Sequence, residues 1–174
     1  MKRWMMIGLL MSLSSASVYA QESDKLHLSG SLQSDMLLAQ KDSATGAEAT
    51  GSRFRTNTYL DLRLSNRYFE AGARLEYMPH PLPGYEHDFK GWGVPYAYLK
   101  GRYKNAELTL GSFYEQFGSG FILRSYEERS LGIDNSLQGA RLNYRPWAGV
   151  AVKVLTGRQR RYWSYNKSWM TGAD

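Results

Sequence analysis

Seven runs of alternating apolar and polar residues lie near 26–38, 53–65, 68–77, 94–103, 106–113, 137–144 and 148–157, and the gaps between them alternate in length. The gaps 39–52, 78–93 and 114–136 are long, whereas Asn66-Arg67, Lys104-Asn105 and Arg145-Pro146-Trp147 are tight turns. An antiparallel chain that shuttles across one bilayer produces this asymmetry, with short turns on the periplasmic side and long loops outside. A soluble exported β-sandwich shares the alternation, but it buries its apolar face against a second sheet and has no reason for a long-short rhythm. The rhythm therefore predicts an all-β fold: an antiparallel transmembrane β-barrel, partial, with about seven to eight up-and-down strands.

The faces can be assigned residue by residue, because successive side chains of a strand point to opposite sides. In 53–65, Phe54, Thr56, Thr58, Leu60, Leu62 and Leu64 oppose Arg53, Arg55, Asn57, Tyr59, Asp61, Arg63 and Ser65. After the Asn66-Arg67 turn, Phe69, Ala71, Ala73, Leu75 and Tyr77 continue the apolar face, and Glu70, Gly72, Arg74 and Glu76 continue the polar one. The first run sets Leu26, Leu28, Leu32, Met36 and Leu38 against Lys25, His27, Ser29, Ser31, Gln33 and Asp35. Later runs are less regular, yet Leu99 and Tyr103, Leu108 and Leu110, Leu142 and Tyr144, and Val150, Val152 and Val154 keep an apolar side. Aromatic residues gather where lipid-facing strands meet the interfaces of a membrane. Phe69, Tyr103, Tyr144 and Trp147 fall at the short-turn ends, and Phe54 and Tyr77 at the long-loop ends.

The amino terminus has the pattern of a secretory signal peptide, 1–20, with Lys2 and Arg3 ahead of an apolar stretch from Trp4 to Leu13 and a Val18-Tyr19-Ala20 cleavage site. Residues 21–174 then form the barrel segment. The apolar stretch is shorter than the roughly 20 residues a spanning helix needs. A chain without cysteine has no disulfide framework and no cysteine for an amino-terminal lipid anchor. The net charge of +6 falls to +4 once Lys2 and Arg3 leave, a mild excess that attracts anionic solutes or lipopolysaccharide. No aromatic-basic motif points to nucleic acid. A mean hydropathy of −0.50 does not count against a barrel, whose strands are only half apolar. An odd strand number and an end at Gly172-Ala173-Asp174 leave two expectations: 161–174 adds a short eighth strand, or the chain is the amino-terminal portion of a larger barrel, the preferred alternative because an unpaired edge in a membrane is very unfavourable.

One segment carries a recognisable pattern. In 111–142, a strand with Gly111 is followed by a polar loop and then by Asp134 through Gly139, Ala140 and Arg141, in the form D-x-x-x-x-G-A/V-R; Gly157 to Arg160 add G-R-Q-R. These stretches resemble an uncharacterised family of large Gram-negative outer-membrane barrels and, more distantly, the alginate-export type of porin. The resemblance covers about 50 residues and includes no cluster assignable to alginate, so a substrate is not carried over.

The same segment contains the third long loop, at the position where many porins fold a loop into the lumen. Glu115, Glu127, Glu128 and Asp134 stand with Arg124 and Arg129, so an inward loop places both signs at a constriction and creates a transverse field on solutes. Gly118 and Gly120 permit the sharp re-entry. A hydrated external loop is the alternative. The lumen face carries a basic set, Arg53, Arg55, Arg63, Arg74, Arg102 and Arg141 with Lys100 and Lys153, against Asp61, Glu70, Glu76 and Glu107. Such cations favour anions in a pore and equally serve as ion-pair partners filling a closed barrel. Tyr96 and Tyr98 on that face offer a stacking surface for a sugar, or packing inside the barrel.

Catalytic and metal chemistry are thin. His80, Glu86, His87 and Asp88 share a loop stiffened by Pro79, Pro81 and Pro83, but their spacing matches no accepted metal-ligand set. His27 with Ser29 or Ser31 lacks a third partner, and no G-x-S-x-G, H-E-x-x-H or P-loop pattern occurs. No cofactor, metal or enzyme activity is expected. The sequence points to a porin-like outer-membrane barrel passing small anionic or saccharide solutes, with a non-conducting scaffold or surface-binding barrel as the alternative.

Overall fold

A computed structural model describes residues 25–40 and 52–174. Residues 1–24, which include the expected signal peptide, and residues 41–51 of the first long loop lie outside the described residues. The strands are β1 (His27–Leu38), β2 (Phe54–Ser65), β3 (Phe69–His80), β4 (Gly91–Tyr103), β5 (Ala106–Phe113), β6 (Glu127–Glu128), β7 (Ile133–Asp134), β8 (Leu137–Tyr144), β9 (Val152–Arg161), β10 (Ser164–Tyr165) and β11 (Met170–Ala173). Among the described residues, nine of them form one antiparallel sheet in the order β1-β2-β3-β4-β5-β8-β9, with β10 and β11 both on the far side of β9. Chain order equals spatial order, an up-and-down meander. β1 pairs only with β2, so the described sheet is open.

Five of the seven expected strands start within about a residue of their expected position. Two differ for identifiable reasons. β4 begins three residues early because Gly91 and Trp92 still pair with Met78 and Tyr77 on β3, although a register shift intervenes between Arg74 and Glu76. β9 begins four residues late because the turn after β8 is longer than expected: Val150 N–H donates to Trp147 O, and Gly149 takes a left-handed φ of 84° that closes the turn before pairing resumes. The short eighth strand exists, broken into β10 and β11, and its turn at Tyr162-Trp163 is tight although it lies at the long-loop end.

The two faces invert the usual arrangement of a globular protein. Apolar side chains of the expected outer face stand bare: Leu28, Leu62, Leu99 and Leu110 are 71%, 48%, 50% and 46% exposed, and Tyr103, Tyr144, Trp147, Phe54 and Tyr77 are exposed at the two ends of the belt. Burial occurs instead on the polar face, under the loops. One cluster joins Tyr59 and Met78 of β2 and β3 to Phe89 of the second long loop, with Tyr85 and Tyr162 packed against it. The other joins Phe113, Leu137 and Leu155 of β5, β8 and β9 to Phe117 and Leu123 of the third loop and to Met170.

The glycines of the sequence pattern converge. Gly111 pairs with Gly139 and Gly139 with Gly157, a row across three strands. A Cβ at Gly139 would land on the Thr156 carbonyl oxygen, and one at Gly111 would land on that of Ala97 while forcing an L residue into φ 99°. The row thus brings backbones closer than any side chain permits.

Candidate functional site

The third long loop, 114–136, lies on the polar face of the sheet. Two neighbouring hairpins shape it. In the first, Gln116 bridges to Arg124, Phe117 N–H donates to Leu123 O at 3.0 Å, and Gly118 and Gly120 adopt φ of 49° and 85° at the tip. The second is β6 and β7, closed by a 3₁₀ turn Arg129–Leu131 that ends on left-handed Gly132. The Glu128 carboxylate caps this turn by accepting from Ser130 N–H at 3.2 Å. The Asn135 side-chain oxygen accepts from Tyr126 N–H at 2.6 Å, and Asn135 N–H returns to Tyr126 O, fixing the base of the hairpin.

Charged side chains fasten this loop to the strands beneath. One Glu127 oxygen accepts from Arg74 Nη1 at 2.7 Å and from Arg129 Nε at 2.8 Å. Arg74 also donates to Asp61 at 2.7 Å, and Arg129 lies 3.5 Å from the other Asp61 oxygen. Arg129 reaches Gln33 of β1 at 2.7 Å and sits 4.2 Å from the Tyr59 ring centroid. Tyr85 of the second loop donates to Arg129 O at 2.7 Å, so the two long loops are also joined to each other. Beside this group, Arg160 binds Glu76 through two parallel bonds of 3.1 and 2.8 Å and contacts Asp134. The Arg160 and Glu76 side chains are 1% and 2% exposed. At the base of the loop, Glu115 accepts from Arg141 at 3.1 Å and from Lys153 at 3.0 Å. The cavity between Tyr59, Glu76, Tyr85, Glu127, Arg129 and Arg160 is about 10 Å³, room for no more than about one water.

Electrostatics follow the pairing. Burial pushes the Glu115 carboxyl up, but the Gln116 amide, the Lys153 ammonium and the Arg141 guanidinium outweigh it and hold it below the usual carboxylate range. Burial, with Asp134 and Glu127 nearby, pushes the Tyr114 phenol up, so it remains a neutral donor to Asp134 at 3.1 Å. Arg129 loses hydration to burial, yet the Glu127 and Asp61 carboxylates keep its guanidinium above its ordinary value.

The expected constriction residues therefore separate. Glu115, Glu127, Arg129 and Asp134 reach the polar face, whereas Arg124 is exposed over the Tyr126 ring and Glu128 is exposed on its cap. Those on the face meet opposite charges directly rather than standing apart across a gap. The basic set is likewise engaged: Arg55 donates to Pro81 O, Arg63 lies 3.9 Å from Glu70, Arg102 bridges Glu70 and Glu107, and Arg141 bridges Glu107 and Glu115. Arg53 is exposed just before β2. Tyr96 stacks on Tyr114 at 5.3 Å, and Tyr98 donates to Glu70 at 2.5 Å over the space left by Gly72, so both rings are occupied by protein groups.

Arg160 was not legible as a polar-face residue. Counting by twos from Lys153 and Leu155 puts position 160 on the apolar side. The alternation fails because the β8 ladder ends at Leu137, after which Arg160 N–H donates to Ser136 O and its side chain turns to Glu76. Trp163 was missed too; Gly91 and Gly93 leave the room its indole occupies. His87, Asp88 and Lys90 border, with Tyr162 to Ser164, an open groove of about 480 Å³, while His27 is exposed on β1. Among the described residues no three His, Asp or Glu side chains converge as a metal-ligand set.

Residues 1–174 match the model of a protein family described as a family of unknown function, DUF6029. The chain belongs to that family. No curated protein and no solved structure matches it, so the likeness to alginate-export porins rests on the quoted motifs alone. The matched span covers the glycine row and the ion pairs between loop and strands in this chain.

Proposed function

We propose that this chain forms the wall of a bacterial outer-membrane β-barrel, exported by its signal peptide, in which loop 114–136 narrows the lumen to a channel for small anionic or saccharide solutes. The observation that carries the reading is the segregation of the sheet: one face is a continuous, uncovered apolar belt edged by aromatic residues, and the other is a polar layer on which a loop is fastened by largely buried ion pairs. An apolar belt of this extent on a water-facing surface would drive aggregation, whereas in a bilayer it meets lipid. A loop fastened against the strands by Glu115, Glu127 and Asp134 reduces the width of the lumen without filling it from side to side.

A non-conducting scaffold is the second reading, favoured by the direct pairing of the lumen charges, which removes much of the field an ion would feel. Three measurements decide. Cell fractionation places the protein in the outer membrane or refutes the barrel. An impermeant maleimide on intact cells labels a cysteine at exposed Glu86 and not one at Asn105; labelling at Asn105 alone inverts the topology. Planar-bilayer recordings then separate the readings: discrete conductance supports the channel, and its absence from correctly inserted protein leaves the scaffold.

A further inference from the structure

Arg158 is the odd cation of the outer face. It pairs across the ladder with Gln138, one row beyond Ala140 and Thr156 and two rows beyond Leu142 and Val154, so it stands where the apolar belt gives way to polar residues on the long-loop side. Its guanidinium lies 5.3 Å from the ring centroid of Trp169 and 5.9 Å from that of Tyr165. Trp169 is 60% exposed, and Tyr165 is anchored by donating to Pro95 O at 3.0 Å. Apart from exposed Arg53, the arginines of the polar face meet a carboxylate or a backbone carbonyl, whereas no carboxylate of the described residues lies within ion-pair distance of Arg158, and its Nε has no hydrogen-bond partner. Arg161 and Lys167, both exposed, belong to the same β9–β10–β11 hairpin.

A charge flanked by aromatic rings at the edge of a lipid-facing belt needs an anion that approaches from the lipid side. We infer that Arg158, with Trp169 and Tyr165, forms a binding site for the phosphate of a phosphorylated glycolipid of the outer leaflet, the lipid A portion of lipopolysaccharide. This site rests on the membrane reading above and adds a place and a ligand chemistry to it. The guanidinium supplies forked donors that match phosphate geometry, and the neighbouring rings offer apolar surface to the sugar and the start of the acyl chains. Charge complementarity selects phosphate over neutral headgroups, and the position at the long-loop edge selects the outer leaflet over the inner one.

The test uses the full chain purified in detergent and titrated with diphosphorylated lipid A, with dephosphorylated lipid A, and with phosphatidylglycerol. Wild type should prefer diphosphorylated lipid A over the dephosphorylated form by about tenfold or more, the worth of one charge-assisted hydrogen-bonded contact. Arg158→Gln should abolish that preference, Arg158→Lys should keep part of it, and Arg67→Gln at the opposite edge should leave it intact. Equal binding of the two lipid A forms by wild type, an unchanged preference in Arg158→Gln, or equally tight binding of phosphatidylglycerol overturns the site. Fractionation of the same proteins keeps the two ideas apart. Wild type in the outer membrane without phosphate preference refutes this site alone, and wild type in the soluble periplasm refutes the barrel reading as well. Should Arg158→Gln fail to insert, Arg158→Lys and Trp169→Ala carry the comparison, and a preference unchanged in both refutes the site.

Discussion

Neighbouring glutamates, Glu127 and Glu128, should have unequal effects when neutralised. The Glu127 oxygen that binds Arg74 and Arg129 is the link between the loop hairpin and β3, with side chains 10% exposed on Arg74 and 18% on Glu127. Glu127→Gln keeps an acceptor but removes the charge from two charge-assisted bonds, each worth about 1.5–3 kcal/mol when buried. Arg74 retains Asp61 at 2.7 Å, and the loop retains Tyr85, Asp134 and Glu115 contacts, so the net loss should be about 2–3 kcal/mol and confined to the middle of the loop. A loss of about 2.7 kcal/mol raises the open population roughly a hundredfold. Hydrogen exchange on protein folded into detergent reads this directly: the Tyr126 and Asn135 amides, bonded across the hairpin base, should exchange about two orders of magnitude faster in Glu127→Gln. Glu128→Gln, which disturbs only an exposed cap, should leave them unchanged. If the two variants exchange alike, or if these amides are already unprotected in wild type, the loop is not fastened through Glu127 and the inward reading of 114–136 fails.

Leu62→Arg, on the bare apolar face, should cost about 2–4 kcal/mol in a refolding titration into lipid, whereas Ser31→Arg, exposed on the polar face opposite Asp61, should be close to neutral; equal effects would contradict the face assignment. Gly139→Ala, whose methyl would meet the Thr156 carbonyl oxygen, should destabilise by about 1–3 kcal/mol or more through forced separation of β8 and β9, seen as a lower melting temperature of the folded band on gels; an unchanged melting temperature would show that the row has room to spare. Glu115 has a folded-state pKa below its unfolded value, so its contribution is fully present above the usual carboxylate range near 4.5 and is lost as pH falls through the lowered value. Wild type should therefore lose stability more steeply than Glu115→Gln as pH falls below about 4.5, and parallel urea-unfolding curves would refute the linkage.

Most strand positions, the two faces and the order of the sheet were determined by the sequence itself. They depend on two local devices, alternation at i and i+2 and short turns such as Asn66-Arg67, where the Asn66 side chain accepts from Tyr68 and Phe69 amides. The pairing Leu60↔Leu75 or Asp61↔Arg74 follows once the turn is placed, because one-residue slips would exchange the two faces. Where the loops land is a different matter. Glu127 meets Arg74 across 53 positions and Arg160 meets Glu76 across 84, and no periodicity relates such partners. A list of charges on the polar face therefore contained Glu115, Glu127, Arg129 and Asp134 without distinguishing them from Arg124 and Glu128, which stay in water. Tyr59 shows the same limit: alternation placed it correctly on the polar face, but only the second loop, bringing Tyr85 and Phe89 over it, made it one of the most buried residues of the fold. The tertiary structure decided these points because desolvating a charge is favourable only beside a partner, and the partner is chosen by which loop folds over which strand.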